Sequence, residues 1–378
     1  KAKEVCSEYL KRYPNDLSVQ IRLARINFLQ QNFEELDSFL KLPHPLADAS
    51  LEDRIRLSHL LSSRGFSQQA LDIMYEARRT FFNESEAHTQ YIAIFFETEK
   101  ELDPLLQVEN VTENTAVFVK EHRGGSRWYI IEDRQDADIR KDELPLKHPL
   151  AKRLLGKKVG DTVIVAEGLQ KKEGTIQEVK SKYVDALHKS AAMFESYFPD
   201  SQGFSLLNLT MVKNPDAEEK VDFSPLFDMV DRQHQHLTQV LALYKAGQVT
   251  IGAVAKLLHK NPIEAWGLLI NKPDIGVRCA TGEPREIADA IRVLTTESPK
   301  LVADITTLMT LHGVEVANEV VDLFGKIAIA QSTIDQLTDL IISRKGVGER
   351  GFMTVGKEGE AYVKEEISAE QIQNNTAY

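Results

Sequence analysis

No run of apolar residues in this 378-residue chain approaches the ~18 needed to cross a bilayer, and the first dozen residues lack the apolar centre of a secretion signal. The sequence therefore predicts a cytoplasmic protein with no membrane partner. Cysteine is scarce. Cys6 and Cys279 cannot build a disulfide framework, and neither has a second Cys or a paired His at metal-ligand spacing, so neither zinc nor thiol chemistry is expected. An excess of basic charge is missing too: 46 Lys and Arg against 57 Asp and Glu give −11, which disfavours non-specific coating of nucleic acid by the whole molecule. There is no initiator Met, and the chain opens inside a helical pattern, which reads as part of something longer. What is present is ordinary globular composition, 42% hydrophobic and 27% charged, which excludes wholesale disorder. At ~100–200 residues per domain, the length calls for several domains.

Over residues 1–106, a shift of 34 brings apolar and small positions into phase: Ala2, Leu36 and Ala70; Cys6, Leu40 and Met74; Leu23, Leu57 and Tyr91. Leu17 and Leu51 follow the same shift. Within each unit the apolar residues fall at three- and four-residue steps, the spacing of one helix face. Each unit thus reads as a helix pair. The period, with Gly65 before Ala70, Ala77 seven residues later, and a helix stop at Tyr13-Pro14-Asn15-Asp16, resembles the tetratricopeptide repeat (TPR) family. Pro43 stands where a small helical residue is expected, so the second helix of that unit should end early. The resemblance implies a curved stack holding a protein partner. A generic helical bundle is the alternative.

After Asp103-Pro104 the helical period stops. Short β-rich runs follow at 115–120, 127–131, 162–165 and 175–179, the first two joined by Gly124-Gly125 as a hairpin. A short helix is expected from Pro149, ended by Gly156. The stretch His148-Pro149-Leu150-Ala151-Lys152-Arg153-Leu154-Leu155-Gly156-Lys157-Lys158-Val159-Gly160-Asp161 resembles the C-terminal, FKBP-like domain of the bacterial Gre transcript-cleavage factors. Trp128-Tyr129-Ile130-Ile131 and Asp136-Ala137-Asp138 extend the likeness over 107–187. The resemblance implies a self-contained module that docks on RNA polymerase. It does not imply transcript cleavage, because the acidic coiled coil that carries that activity has no counterpart here. Gre proteins place an acid and a serine just before the helix; this chain has Lys147 and His148, a charge reversal that penalises the original contact. Residues 120–182 carry 15 basic and 11 acidic side chains, a local +4. Lys147, Lys152, Arg153, Lys157 and Lys158 form a candidate binding face for an acidic or RNA partner, or simply a solvated helix end.

Residues 188–298 read as a linker, 198–220, followed by helices over 223–245, 250–259 and 262–270. The last two have the size of a helix-turn-helix. The second carries Glu264 and no basic residue before Lys272, so packing explains it better than DNA reading. His234 and His236 are two apart, diverge on a helix, and are expected at the surface.

Residues 299–378 open with a short strand ending in an acid, 299–304. Helices 306–312 and 314–324, a second strand 326–330, a helix 333–342, a hairpin 352–363 and a final helix from Ser368 complete the expected order. Asp304-Ile305-Thr306 at the end of the first strand, with Asp335 on the later helix, resembles the active-site pattern of the PIN-domain nucleases. The resemblance implies that Asp304 and Asp335 are catalytic carboxylates holding Mg²⁺ or Mn²⁺, which would activate water against an RNA phosphate. It also implies further strands and acids that this stretch lacks. Two duller readings stand beside it: Ser332 and Asp335 have capping-box spacing, and Asp304 could cap the helix it precedes.

The sequence as a whole predicts a multidomain α+β protein: a TPR-like array (1–106), an FKBP-like β-rich domain (107–187), a helical connector (188–298) and a partial PIN-like α/β domain (299–378). Two functions fit. One is a metal-dependent ribonuclease aimed by the repeats and the Gre-like module. The other is a non-catalytic adaptor tied to RNA polymerase or other proteins.

Overall fold

The computed structural model describes residues 2–122, 124–134, 136–167, 171–198, 211–212, 220–272, 274–278, 283–295, 299–347, 352–358 and 361–367. The protein is mixed α and β and divides into two compact units, Lys1–Leu206 and Leu207–Tyr378. No helix among the described residues is long and apolar enough to cross a membrane.

The first unit begins with six helices: α1 (Ala2–Arg12), α2 (Leu17–Leu29), α3 (Phe33–Leu40), α4 (Leu51–Ser63), α5 (Ser67–Thr80) and α6 (Ser85–Thr98). The starts of α2, α4 and α6, and those of α3 and α5, each advance by 34 residues, so the period seen in the sequence is the period of the helices. Asp16 and Ser50 cap α2 and α4 by accepting from the backbone N–H three residues on. As expected from Pro43, α3 is short. The in-phase apolar residues form the core: Leu36, Leu40, Leu57, Ala70, Met74 and Tyr91 are buried.

A one-turn helix α7 (Asp103–Leu106) leads into a five-stranded sheet made of β1 (Thr115–Glu121), β2 (Ser126–Glu132), β3 (Glu143–Pro145), β4 (Thr162–Ala166) and β5 (Lys172–Ser181). Its order is β3-β2-β1-β5-β4, antiparallel except for the parallel β2–β3 pair. The alternation of each strand sorts its side chains to two faces. One face, with Val117, Val119, Tyr129, Ile131, Val163 and Ile176, packs on Leu150, Ala151 and Leu154 of helix α8 (Pro149–Leu154). Gly174 lets β5 run close to its neighbours, since a Cβ there would lie 2.7 Å from Val119 Cγ1. Ala116 and Ile130 point to the opposite face and are buried as well. That face is covered by α9 (Lys182–Ser196), which also packs against α6.

The 107–187 segment is thus not closed on itself: helix α9, unforeseen in the sequence reading, joins its sheet to the repeat helices within one unit. Its signal was available. Tyr183, Ala186, Ser190, Met193 and Phe194 follow three- and four-residue steps, and all are buried.

In the second unit, two short strands, β6 (Met211–Val212) and β7 (Lys220–Val221), pair antiparallel within the span expected as linker; most of that span lies outside the described residues. Helices α10 (Ser224–Lys245), α11 (Ile251–Leu257) and α12 (Pro262–Ile270) pack around Val240, Tyr244, Val254, Ala255, Ala265 and Leu269. Thr250 caps α11, and Asn261 with Glu264 forms a capping box on α12. Helix α13 (Pro284–Leu294) was not foreseen. The last elements are β8 (Leu301–Ala303), α14 (Ile305–Gly313), α15 (Ala317–Phe324), β9 (Ile327–Ile329), α16 (Gln331–Val347), β10 (Phe352–Glu358) and β11 (Ala361–Ile367). β8 and β9 pair in parallel and β10 and β11 form the expected hairpin; the helix expected from Ser368 lies outside the described residues.

Candidate functional site

In an open α/β sheet, ligands sit outside the carboxyl ends of the strands. Asp304 directly follows Ala303, the last residue of β8, and Ala303 pairs with Ile329, the last residue of β9. Asp335 lies six residues beyond Ile329, in the second turn of α16. Both carboxylates therefore follow the carboxyl ends of adjacent parallel strands.

Asp304 is the N-cap of α14. Its Oδ1 accepts from Thr307 N at 2.7 Å and from Thr306 Oγ1 at 3.0 Å. Partial burial pulls this carboxyl upward, but the bonds from Thr307 and Thr306 outweigh it and hold the group below its ordinary range, so it is ionised at neutral pH. The same helix is tied down further along, where Trp266 Nε1 donates to Thr310 Oγ1 at 3.0 Å and Thr310 Oγ1 donates to the Thr306 carbonyl at 2.8 Å. Trp266, from the segment resembling a helix-turn-helix, thus serves packing.

Asp335 is not a helix cap. α16 starts at Gln331, and the Ala330 carbonyl accepts from Thr333 N and Ile334 N, so Ser332 already lies inside the helix. The capping-box explanation of Asp335 is corrected accordingly. Its Oδ1 accepts from Gln331 Nε2 at 3.1 Å, one turn back. Each carboxylate offers hard oxygen donors of the kind that bind Mg²⁺ alongside water. Among the described residues there is no cluster of three metal-ligating side chains.

The five cationic candidates sit on and around α8. Lys147, Lys152, Lys157 and Lys158 are exposed. Arg153 is half-buried and turned inward, donating to the Ile164 carbonyl at 3.1 Å and pairing with Glu167 at 2.8 Å. His148 caps α8 through its ring, accepting from Leu150 N at 3.2 Å, and Gly156 ends the helix with φ of 76°.

Sequence reasoning missed the polar joint between the repeat helices and the sheet. Arg79, at the end of α5, donates to Glu143 of β3 (2.6 and 2.8 Å) and to Asp136 (2.7 Å). Arg134 bridges Glu76 and Asp136. From α9, Ser190 Oγ accepts from Arg78 Nε at 2.7 Å and lies 3.0 Å from His88 Nδ1, while Tyr183 hydrogen-bonds Asp72. Lys182 reaches Glu132 at 2.9 Å and stands over the Tyr75 ring. Apart from Arg134 with Asp136, the partners lie 50 or more residues apart, and the adjacent Arg78-Arg79 at a helix end was their main sequence signal.

Residues 302–378 match a family described as the PIN domain associated with the TPR-GreAB-C-PIN system. The match begins within β8 and takes in both Asp304 and Asp335. No curated protein matches the chain.

Proposed function

We propose that the protein is a metal-dependent ribonuclease of PIN type, with its TPR-like helices and Gre-like module as targeting elements that hold a protein partner. The observation that carries this reading is the placement of Asp304 and Asp335 beyond the carboxyl ends of two parallel strands. The family match over that segment, and a family description naming TPR and GreAB-C parts, support it. Asp304 and Asp335 would hold Mg²⁺ or Mn²⁺. The bound metal would supply a polarised water and neutralise phosphate charge. The protein's own part is to keep Asp304 ionised and fixed, through Thr306 and Thr307.

Asp304→Asn tests this. Asn caps a helix about as well as Asp, so the variant should keep its melting temperature. It should lose Mn²⁺-dependent cleavage of single-stranded RNA and the rise in melting temperature that binding to the native state produces. Cleavage and metal response equal to the parent would leave the second reading, a non-catalytic adaptor docked to RNA polymerase or another protein. That reading is favoured by the use of Asp304 as a helix cap.

A further inference from the structure

We propose that the exposed face of α8 and the loop following it binds the phosphodiester backbone of RNA. The choice of polyanion rests on the ribonuclease reading, but the face belongs to the other compact unit and can be tested apart from catalysis.

The argument begins from pairing. In this sheet domain most charges are matched: Arg127 with Asp142, Arg140 with Asp138, Lys171 with Glu173, Lys180 with Asp185 and Lys182 with Glu132. Lys120 and Lys141 are exposed and unpaired too, but singly, whereas Lys147, Lys152, Lys157 and Lys158 gather on one short helix and its loop. All four are exposed, and among the described residues none of their ammonium groups is in an ion pair. The acids nearby in sequence are engaged or few. Asp161 accepts from Lys158 N at 3.0 Å, Glu167 is taken by Arg153, and exposed Glu109 stands next to Asn110, which bridges to Lys158. Four lysines within twelve residues, none with an ion-pair partner, outnumber the nearby Asp161 and Glu109 and concentrate positive potential on one short helix and its loop.

The chemistry of the face favours a phosphate chain over an acidic protein. Protein interfaces are depleted in Lys and anchored by Trp, Tyr and Arg. Here the one Arg is committed inward, and 147–161 contain no Phe, Tyr or Trp. The exposed large apolar side chains are Leu155 and Val159 alone. Lysine is a mobile point charge suited to phosphate oxygens, and without an aromatic platform no base can stack, so the contact should be blind to sequence.

The test is fluorescence anisotropy of a labelled oligouridylate with the full chain, in EDTA, titrated over about 50 to 200 mM salt. Four phosphate contacts to a single strand give a log–log slope of about −2.8, an affinity loss of about 50-fold across that range. Changing Lys147, Lys152, Lys157 and Lys158 together to Gln should remove most of the slope, and Lys158→Gln alone should reduce it by about 0.7. An unchanged slope in the fourfold variant would overturn the proposal. So would polyglutamate binding to this face where the oligouridylate does not, which would make it a protein-docking surface. If Asp304→Asn cleaves as the parent does while the lysine slope holds, the nuclease reading fails and the RNA face stands.

Discussion

Replacing Arg79 by Met is expected to be among the most damaging single changes in the first unit. Arg79 lays a two-pronged guanidinium on Glu143, which is only 3% exposed and has one further donor, Asp138 N at 2.9 Å. Burial alone would push the Glu143 carboxyl up, yet the bonds from Arg79 and Asp138 N hold it below its ordinary range. Removing the cation leaves a buried carboxylate with one backbone partner, a loss of roughly 3–5 kcal/mol. Asp136, the other acceptor, is mostly exposed and contributes about 0–1 kcal/mol. The compensating double change, Arg79→Met with Glu143→Leu, removes both charges and leaves Asp138 N without its acceptor, while the exposed Asp136 carbonyl and carboxylate turn to water, so it should cost about 1–2 kcal/mol. Trp128 and Trp266 lie in different units, so a Trp266→Phe background makes tryptophan fluorescence report on the first unit alone. With m of roughly 2–3 kcal/mol/M, Arg79→Met should lower the urea midpoint by about 1–2.5 M. A loss below about 1 kcal/mol, or a double variant as unstable as the single one, would refute the reasoning.

Burial, assisted by repulsion from Arg78, holds His88 below its ordinary 6.5 against the opposing bond to the Phe82 carbonyl. The unfolded chain therefore takes up this proton first, and stability should fall as pH drops below about 6.5. His44, also lowered by burial, adds to the slope. His88→Gln should flatten the melting temperature between pH 6.5 and 5, and a profile parallel to the parent's would contradict the assignment. Residues 107–187 expressed alone should melt without cooperativity, because Ala116, Ile130 and Glu143 lose the helices that cover them; 1–206 should melt cooperatively, and the reverse outcome would restore the self-contained module.

The local features of this fold were legible because they are written locally. Gly156 after Pro149 bounds α8, and the 34-residue step in apolar positions reappears in the starts of α2, α4 and α6. Asp304 was found because a short apolar run, an acid and a helical pattern follow one another within a few residues. The start of α16 was placed one to two residues late because a Ser at 332 offers a capping side chain, while the structure opens the helix on the Ala330 carbonyl. β3 escaped notice because three residues ending in Pro145 carry no period, and its pairing with β2 is parallel and non-local. α9 escaped because the family likeness ended within it.

What no pattern of apolar residues could reveal is the joint between helices and sheet. Apolar faces announce themselves by period, whereas Arg79–Glu143 and Lys182–Glu132 are single residues 64 and 50 positions apart. Replacing a buried ion pair with apolar groups is often neutral for stability, so stability alone does not explain why this joint is charged. Direction does: a bidentate guanidinium on a carboxylate fixes angle as well as distance, and an apolar contact of the same area can slide. α8 packs on the far face of that sheet, so the four lysines inherit whatever orientation the joint imposes. The nucleic-acid surface proposed above would need that rigidity to hold a backbone in a set relation to the repeat helices, and the charged joint would provide it where an apolar one would not.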